Sequence, residues 1–471
     1  MRKLAATCLI SLVLLFSLII LSSGPITAQA PDPPPAKGSG TIPPPPTTQP
    51  GPPAIQIDRS ILPKIEPQLL KKLLQTNGGP VPFIVYLKAK ADVAAAAASA
   101  PLRAQGQIDI EARRTAIVTA LQQTAGSSQG GVLQALSAPA STGGISGQTS
   151  ATDIRPLWIV NAVAAKGRLA TVLAMAVRDD VEVIRLDKEV TLDDPIIDLT
   201  ASACAAEDFE HRLTTCPLLI PALQTPQWNI SKIRADLVHD ALGFDGSGVV
   251  VANIDTGVDW QHSALQAKYR GYTGPGKLPQ HTGNWHDATG DGSIYPVDGS
   301  GHGTHTMGTM VGDNGVGVAP GAQWIAVRAF NSAGSGQNSW IHAAFQWVLA
   351  PNGNPALAPD IVNNSWGNNV GENTEFQADV LALLNAGIYP VFSAGNNGSA
   401  AGTVGSPGSF DISFAVGATT IDDEIADFSS RGPSPWGKIK PDVSAPGKGV
   451  VSTYPGGAYA SLNGTSMAAP H

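Results

Sequence analysis

The run Val249-Val250-Val251-Ala252-Asn253-Ile254, followed at once by Asp255-Thr256-Gly257-Val258-Asp259, decides the reading of this chain. Its apolar residues are consecutive, not alternating, so the strand is expected to be buried on both faces. Runs of the same kind recur at Trp324 to Ala329, Ile361-Val362 leading into Asn363-Asn364-Ser365, Ile388 to Phe392 and Ile412 to Val416. Helix candidates at Trp340 to Leu349 and Thr374 to Ala386 lie between them. This alternation predicts a three-layer α/β unit, a parallel sheet with helices on both faces, over residues 228–471. Chemistry in such a sheet sits beyond the carboxyl ends of the strands.

Three motifs stand at those ends. Asp255-Thr256-Gly257 supplies a carboxylate, Gly301-His302-Gly303-Thr304-His305 an imidazole, and Gly464-Thr465-Ser466-Met467-Ala468-Ala469-Pro470-His471 a hydroxyl. A serine hydroxyl becomes a useful nucleophile when an imidazole takes its proton, and a carboxylate orients that imidazole. Ser393-Ala394-Gly395-Asn396-Asn397-Gly398 adds Asn396, whose amide can donate to a developing oxyanion. His305 reads as structural, because no glutamate-bearing zinc motif surrounds it. Asp259 reads as a structural hydrogen-bonding residue, and Asp298 as a solvated loop carboxylate. His286, Asp287 and Asp291, in a Gly-rich loop, are the candidates for calcium, although six to eight oxygen ligands are not evident there.

In this order, Asp, His, Ser, the motifs resemble those of the subtilisin-like serine peptidases, the subtilases. The resemblance implies a triad of Asp255, His302 and Ser466 with Asn396 at the oxyanion position. It implies that Ser365-Trp366-Gly367 receives the substrate backbone, and that Ala394 and Gly395 form the facing wall of the side-chain pocket. Asn363 to Gly367, Phe428 to Pro433 and Lys440 to Gly447 are similar to the bacillopeptidase F branch of the family. The implied activity is a secreted endopeptidase, made as a zymogen, that acts on proteins or peptides through an acyl-enzyme. No organic cofactor and no nucleic-acid partner is expected; calcium is expected from family habit alone. An esterase using the same triad is disfavoured by the extended-substrate segment. In the family the nucleophile opens a long helix, so the chain to His471 is expected to be a fragment, inactive as it stands. If it truly ended there, an inactive binding module would be the alternative reading.

The N-terminal half reads differently. Arg2-Lys3, an apolar run from Leu9 to Leu21 and small residues up to Ala28 form a signal peptide over 1–28. Eleven prolines between 31 and 53 make 29–60 an extended spacer. Residues 61–200 are expected to form a small ferredoxin-like α/β unit. Its strands are read at Val81 to Leu87, Trp158 to Val163 and Val181 to Leu186, its helices at Ala94 to Leu121 and Gly167 to Val177, with a Gly/Ser-rich insert at about 126–150. Glu189 to Leu192 is expected to pair nearby. The unit carries no catalytic constellation, and the resemblance implies a propeptide that aids folding and then inhibits. Maturation is expected between about 195 and 227, in a linker at 201–227. Of three cysteines, Cys204 and Cys216 survive signal removal and are a disulfide candidate in an oxidising compartment.

With 471 residues, 43% hydrophobic and 14% charged, the chain has ample material for a large core. Fifty-one glycines and 38 prolines promise many loops. A net charge of −8 argues against a nucleic-acid-binding protein, and a single long apolar stretch excludes a polytopic membrane protein.

Overall fold

A computed structural model describes residues 59–138, 151–192, 196–197 and 226–471. The signal peptide, the Pro-rich spacer as far as residue 58, Cys204 and Cys216 lie outside the described residues, as does most of the expected maturation segment. No helix among the described residues is long and apolar enough to cross a membrane.

The N-terminal unit is an antiparallel sheet of β1 (Val81–Leu87), β2 (Thr152–Leu157), β3 (Ala162–Gly167) and β4 (Val181–Leu186) in the order β2-β3-β1-β4. The chain order is β-α-β-β-α-β, one strand more than the sequence reading allowed. Trp158 to Asn161, read as strand, is the turn between β2 and β3. Asn161 reverses the chain there, at φ 49°, and its amide donates to the carbonyl of Ala89. The expected helix from Ala94 to Leu121 is two helices, Val93–Ala98 and Ile110–Ser128. Asp92 and Asp109 each accept a backbone N–H and start a new helix. Part of the Gly/Ser-rich insert is also helical, at Gly130–Ser137, where Val132 and Leu136 are buried.

The C-terminal unit holds seven strands: β7 (Val250–Asp255), β8 (Trp285–Asp287), β9 (Gln323–Arg328), β11 (Ile361–Asn364), β12 (Tyr389–Ser393), β13 (Phe414–Thr419) and β14 (Val443–Pro446). They are all parallel, in the order β14-β13-β12-β11-β7-β9-β8. This is the expected three-layer subtilisin-like architecture. Ala252, Ile254, Ile325, Val327, Val362 and Phe392 are fully buried, as the unbroken apolar runs require. β15 (Val450–Tyr454) and β16 (Ala458–Asn463) form a hairpin before the Thr465–Ala468 turn of helix. Beside that turn runs an apolar groove of about 550 Å³, lined by Ile233, Val251, Met310, Val416, Pro470 and others.

The two units are joined through an extensive interface. β5 (Glu189–Thr191) leaves the N-terminal sheet and pairs with β10 (Ser335–Gln337) of the C-terminal unit. Beyond it, β6 (Ile196–Ile197) pairs with β16 at Asn463 and Leu462. The Asp187 carboxylate accepts from the Ser339 N–H (2.9 Å) and hydroxyl (2.6 Å), and so caps the Asn338–Leu349 helix from the other unit. The Gln346 side-chain oxygen accepts from the N–H groups of Trp158 (2.6 Å) and Ile159 (3.3 Å).

A buried ionic cluster completes the interface. His342 Nδ1 lies 2.9 Å from Asp379, and Nε2 lies 3.1 Å from the Tyr86 hydroxyl and 3.4 Å from Glu375. Tyr86 donates to Glu375, and Arg185 pairs with Glu375 at 2.8 Å. Burial opposes the imidazolium, but Asp379 and Glu375 outweigh it and raise His342 to about 10. Its protonation therefore contributes stability fully below its ordinary value of 6.5, and that contribution drains away as pH rises toward 10. The melting temperature of the protein should thus fall between pH 7 and 10, and more steeply than that of His342→Gln. Parallel slopes in a thermal-denaturation series would contradict this.

Candidate functional site

Asp255 ends β7 and accepts the Thr256 N–H at 2.7 Å, which fixes its carboxylate at the carboxyl end of the sheet. Across from it begins the His302–Val311 helix, all of whose residues are buried. His302 Nδ1 lies 2.7 Å from Asp255 Oδ1, and both side chains are about 1% exposed. The close approach depends on glycine. A Cβ on Gly303 would stand 2.1 Å from the Gly257 carbonyl oxygen, and one on Gly257 would stand 1.8 Å from that of Val297.

Ser466 lies in the Thr465–Ala468 turn, which packs against the His302 helix. Its hydroxyl donates to the Ser365 carbonyl (3.0 Å), and the Ser365 hydroxyl donates to the Ser466 carbonyl (2.8 Å). Asn396 follows β12. Its Oδ1 accepts both the N–H and the hydroxyl of Thr465 at 2.9 Å, so Nδ2 is the end of the amide left to donate. A cavity beside Ser466 is lined by Ser365, Trp366, Gly367, Ala394, Gly395 and Gly405, among others. Trp366 itself is turned into an aromatic cluster with Phe345, Phe376 and Phe392. Its indole packs in that cluster beside the cavity.

Sequence reasoning missed the polar chain that joins these residues beneath the site. The Thr306 hydroxyl donates to Asp255 (3.3 Å), the Asn253 amide donates to Thr306 (2.8 Å), and the Asn363 amide donates to both Asn253 (3.0 Å) and Ser365 (2.9 Å). Asn253 and Asn363 are buried inside otherwise apolar strands. An amide in such a run was the available signal, because a buried polar group needs a partner.

Three further expectations meet the structure here. His305 is structural: its Nε2 lies 3.1 Å from the carbonyls of Val450 and Ala460, and burial lowers it to about 3. Asp259 is also structural, accepting the N–H groups of Gln261 and Gly456. Asp298 departs from its reading as a solvated carboxylate. It accepts five hydrogen bonds, from the Thr256 hydroxyl, the N–H groups of Ser300 and Gly301, and the N–H and hydroxyl of Thr304.

The candidate calcium loop does not fit a cation. Asp287 accepts from the Thr289 N–H and hydroxyl and from the Ser293 N–H, and Asp291 pairs with Arg328 at 3.0 Å. His286 stacks on Trp347 and is lowered to about 4 by burial and by Arg155. Arg328 thus occupies the place a metal charge would take. Among the described residues no group of three or more His, Cys, Asp or Glu could hold a metal ion.

Comparison with known proteins agrees with the architecture. Residues 246–471 match the profile described as the Subtilase family. Bacillopeptidase F of Bacillus subtilis (strain 168) is 39% identical over 376 residues, covering 76% of this chain and 25% of that protein. Subtilisin E of the same strain is 38% identical over 254 residues, 53% of this chain and 59% of that protein. Subtilisin of Bacillus pumilus is 37% identical over 254 residues and covered to 82%. The chain therefore spans a quarter of the first of these relatives and about three-fifths of the second.

Proposed function

Because the chain belongs to the subtilase family, we propose that the intact protein is a secreted serine endopeptidase, made with the N-terminal unit as an inhibitory and folding-assisting propeptide. The observation that carries this reading is the 2.7 Å contact of His302 with Asp255, joined to Ser466 through a buried hydrogen-bonded chain. In the reaction, His302 takes the Ser466 proton as the hydroxyl oxygen attacks the peptide carbonyl. Asp255 holds the imidazole and balances its charge. Asn396 Nδ2 donates to the oxyanion. His302 then protonates the departing amine, and water drawn against the same imidazole releases the acyl group.

Two strand pairings support the zymogen part of the reading. β5 pairs with β10, and β6 pairs with β16 three residues before Ser466, so the end of the N-terminal unit is held at strand edges near the nucleophile. Calcium, where relatives need it, would bind at residues other than His286, Asp287 and Asp291.

The test is to label the full-length protein with a serine-directed phosphonate and to assay casein. Labelling at Ser466 with proteolysis is expected. Absence of label sinks the reading, and label without peptide hydrolysis turns it to an esterase. Asn396→Ala should reduce kcat by about 10²–10³-fold with KM nearly unchanged, measured on a peptide substrate. A change confined to KM would remove Asn396 from the oxyanion role.

A further inference from the structure

Asp298 takes no step in the reaction above, yet its carboxylate touches both halves of the Asp255–His302 pair's scaffold. Oδ1 accepts the Thr256 hydroxyl at 2.9 Å, next to Asp255, and the N–H groups of Ser300 (3.0 Å) and Gly301 (2.8 Å). Oδ2 accepts the N–H (2.8 Å) and hydroxyl (2.6 Å) of Thr304, in the first turn of the His302 helix. Thr256 closes the ring, since its hydroxyl also accepts the Gly303 N–H at 2.9 Å. The helix N-cap, Gly301, has no side chain to cap with, so Asp298 supplies the anion that a helix N-terminus favours.

We propose that Asp298 is a positioning residue for the hydrolytic reaction: it clamps the Asp255 strand end to the first turn of the His302 helix and so sets the imidazole against Asp255. This rests on the serine-peptidase reading. The clamp has two parts. Its five hydrogen bonds hold position, because neither the strand end nor the helix start can shift without stranding a buried donor. Its carboxylate, which burial and the charge of Asp255 raise above the usual aspartate range against the pull of its hydrogen bonds to Thr304 and Gly301, adds a second negative centre at the start of the His302 helix, which favours the imidazolium formed when Ser466 gives up its proton. The charged or titratable groups packed around this assembly are Asp255 on β7, His305 on the same helix as His302, and Tyr454 on β15. Tyr454 donates to the Ser300 carbonyl and feels the Asp298 charge. Burial keeps His305 neutral, and burial together with Asp298 raises Tyr454 above its ordinary value, so neither titrates with His302.

The experiment uses the full-length protein and reads the rate of Ser466 labelling by a phosphonate, with kcat and KM on a peptide, from pH 5 to 9. Asp298→Asn should slow labelling and lower kcat by about 10- to 100-fold, with KM within about twofold. Its acidic limb should also move down by about half a pH unit, because the imidazolium has lost a favourable charge. Thr256→Val breaks the link but keeps the Asp298 charge, so it should lower kcat without moving the limb. Thr256→Ser keeps the hydroxyl and should restore most of the rate. Labelling of Asp298→Asn at the wild-type rate, or an unmoved acidic limb, would overturn the inference while the peptidase reading stands. Should Asp298→Asn fail to fold, equal rates in Thr256→Val and Thr256→Ser would overturn it as well. Failure of the wild-type protein to label would sink the peptidase reading and the inference with it.

Discussion

Replacing Ser466 with alanine is expected to abolish peptide hydrolysis, by roughly 10⁶-fold in kcat, while the fold is kept. The hydroxyl is nearly buried and, among the described residues, donates to the Ser365 carbonyl at 3.0 Å, so its removal leaves little unsatisfied. The loss would be chemical, not structural, and circular dichroism beside a peptide assay separates the two. Asp255→Asn should cost about 10⁴-fold by a different route. Asp255 Oδ1 is shared between the Thr256 N–H and His302 Nδ1, so an amide that keeps its oxygen there loses the charge that balances the imidazolium, while an amide turned the other way presents a donor to His302 Nδ1. The imidazole would then hold its proton on the nitrogen meant to accept from serine. Activity of Ser466→Ala above the uncatalysed rate would remove the serine from the mechanism, and wild-type activity of Asp255→Asn would remove the carboxylate.

Arg114→Ala should be strongly damaging at the interface between the two units, destabilising it by about 3–5 kcal/mol through the buried carbonyls it leaves without a donor. The Arg114 side chain, from the Ile110–Ser128 helix, is 8% exposed and lies against the other unit. Its guanidinium donates to the carbonyls of Ala358 (3.0 Å), Pro359 (2.8 Å) and Ala386 (3.3 Å), and reaches Asp360 at 3.5 Å. Asp360 in turn accepts the Val250 N–H through its side chain and the Tyr389 N–H through its carbonyl. One arginine thus ties together the amino ends of β7, β11 and β12. Truncation strands three carbonyls that water reaches poorly. Lysine cannot replace a planar fork with five donors, so Arg114→Lys should recover only part of the loss. By contrast Lys90→Ala, which breaks an ion pair whose side chains are 52% and 49% exposed, should cost less than about 1 kcal/mol. Urea unfolding of the three variants in a Ser466→Ala background tests the order. Equal midpoints for Arg114→Ala and Lys90→Ala would show that the buried arginine is not the anchor.

The five inner strands of the parallel sheet were legible because burial leaves continuous apolar runs that local reading detects, whereas the edge strands β8 and β14, which carry no such run and are only partly buried, were not. Asp255, His302, Asn396 and Ser466 stand out as candidates because glycine-rich motifs surround them, and glycine is required where backbones meet as closely as at Gly257 and Gly303. The β2–β3 hairpin was not legible. Its turn, Trp158 to Asn161, is apolar enough to pass for strand, and it is apolar because it packs against the other unit and gives two N–H groups to Gln346. Glu189 to Leu192 likewise pairs with a segment far along the chain, and no local pattern announces a distant edge.

Sequence alone therefore determined the class of fold, the order of the strands' motifs and which residues could carry chemistry, since each of these leaves a local mark of periodicity or residue type. Tertiary structure alone decided what the carboxylates do. Asp255, Asp287, Asp298 and Asp360 look alike in sequence, each at the edge of a strand or in a loop. One orients a histidine, one is held by loop amides, one clamps a helix start and one ties strand ends to a buried arginine. A carboxylate's role depends on the donors that fold around it: Asp287 is met by Thr289 and Ser293 of its own loop, whereas His302 at Asp255, Thr256 at Asp298 and Arg114 at Asp360 come from segments tens to hundreds of residues away.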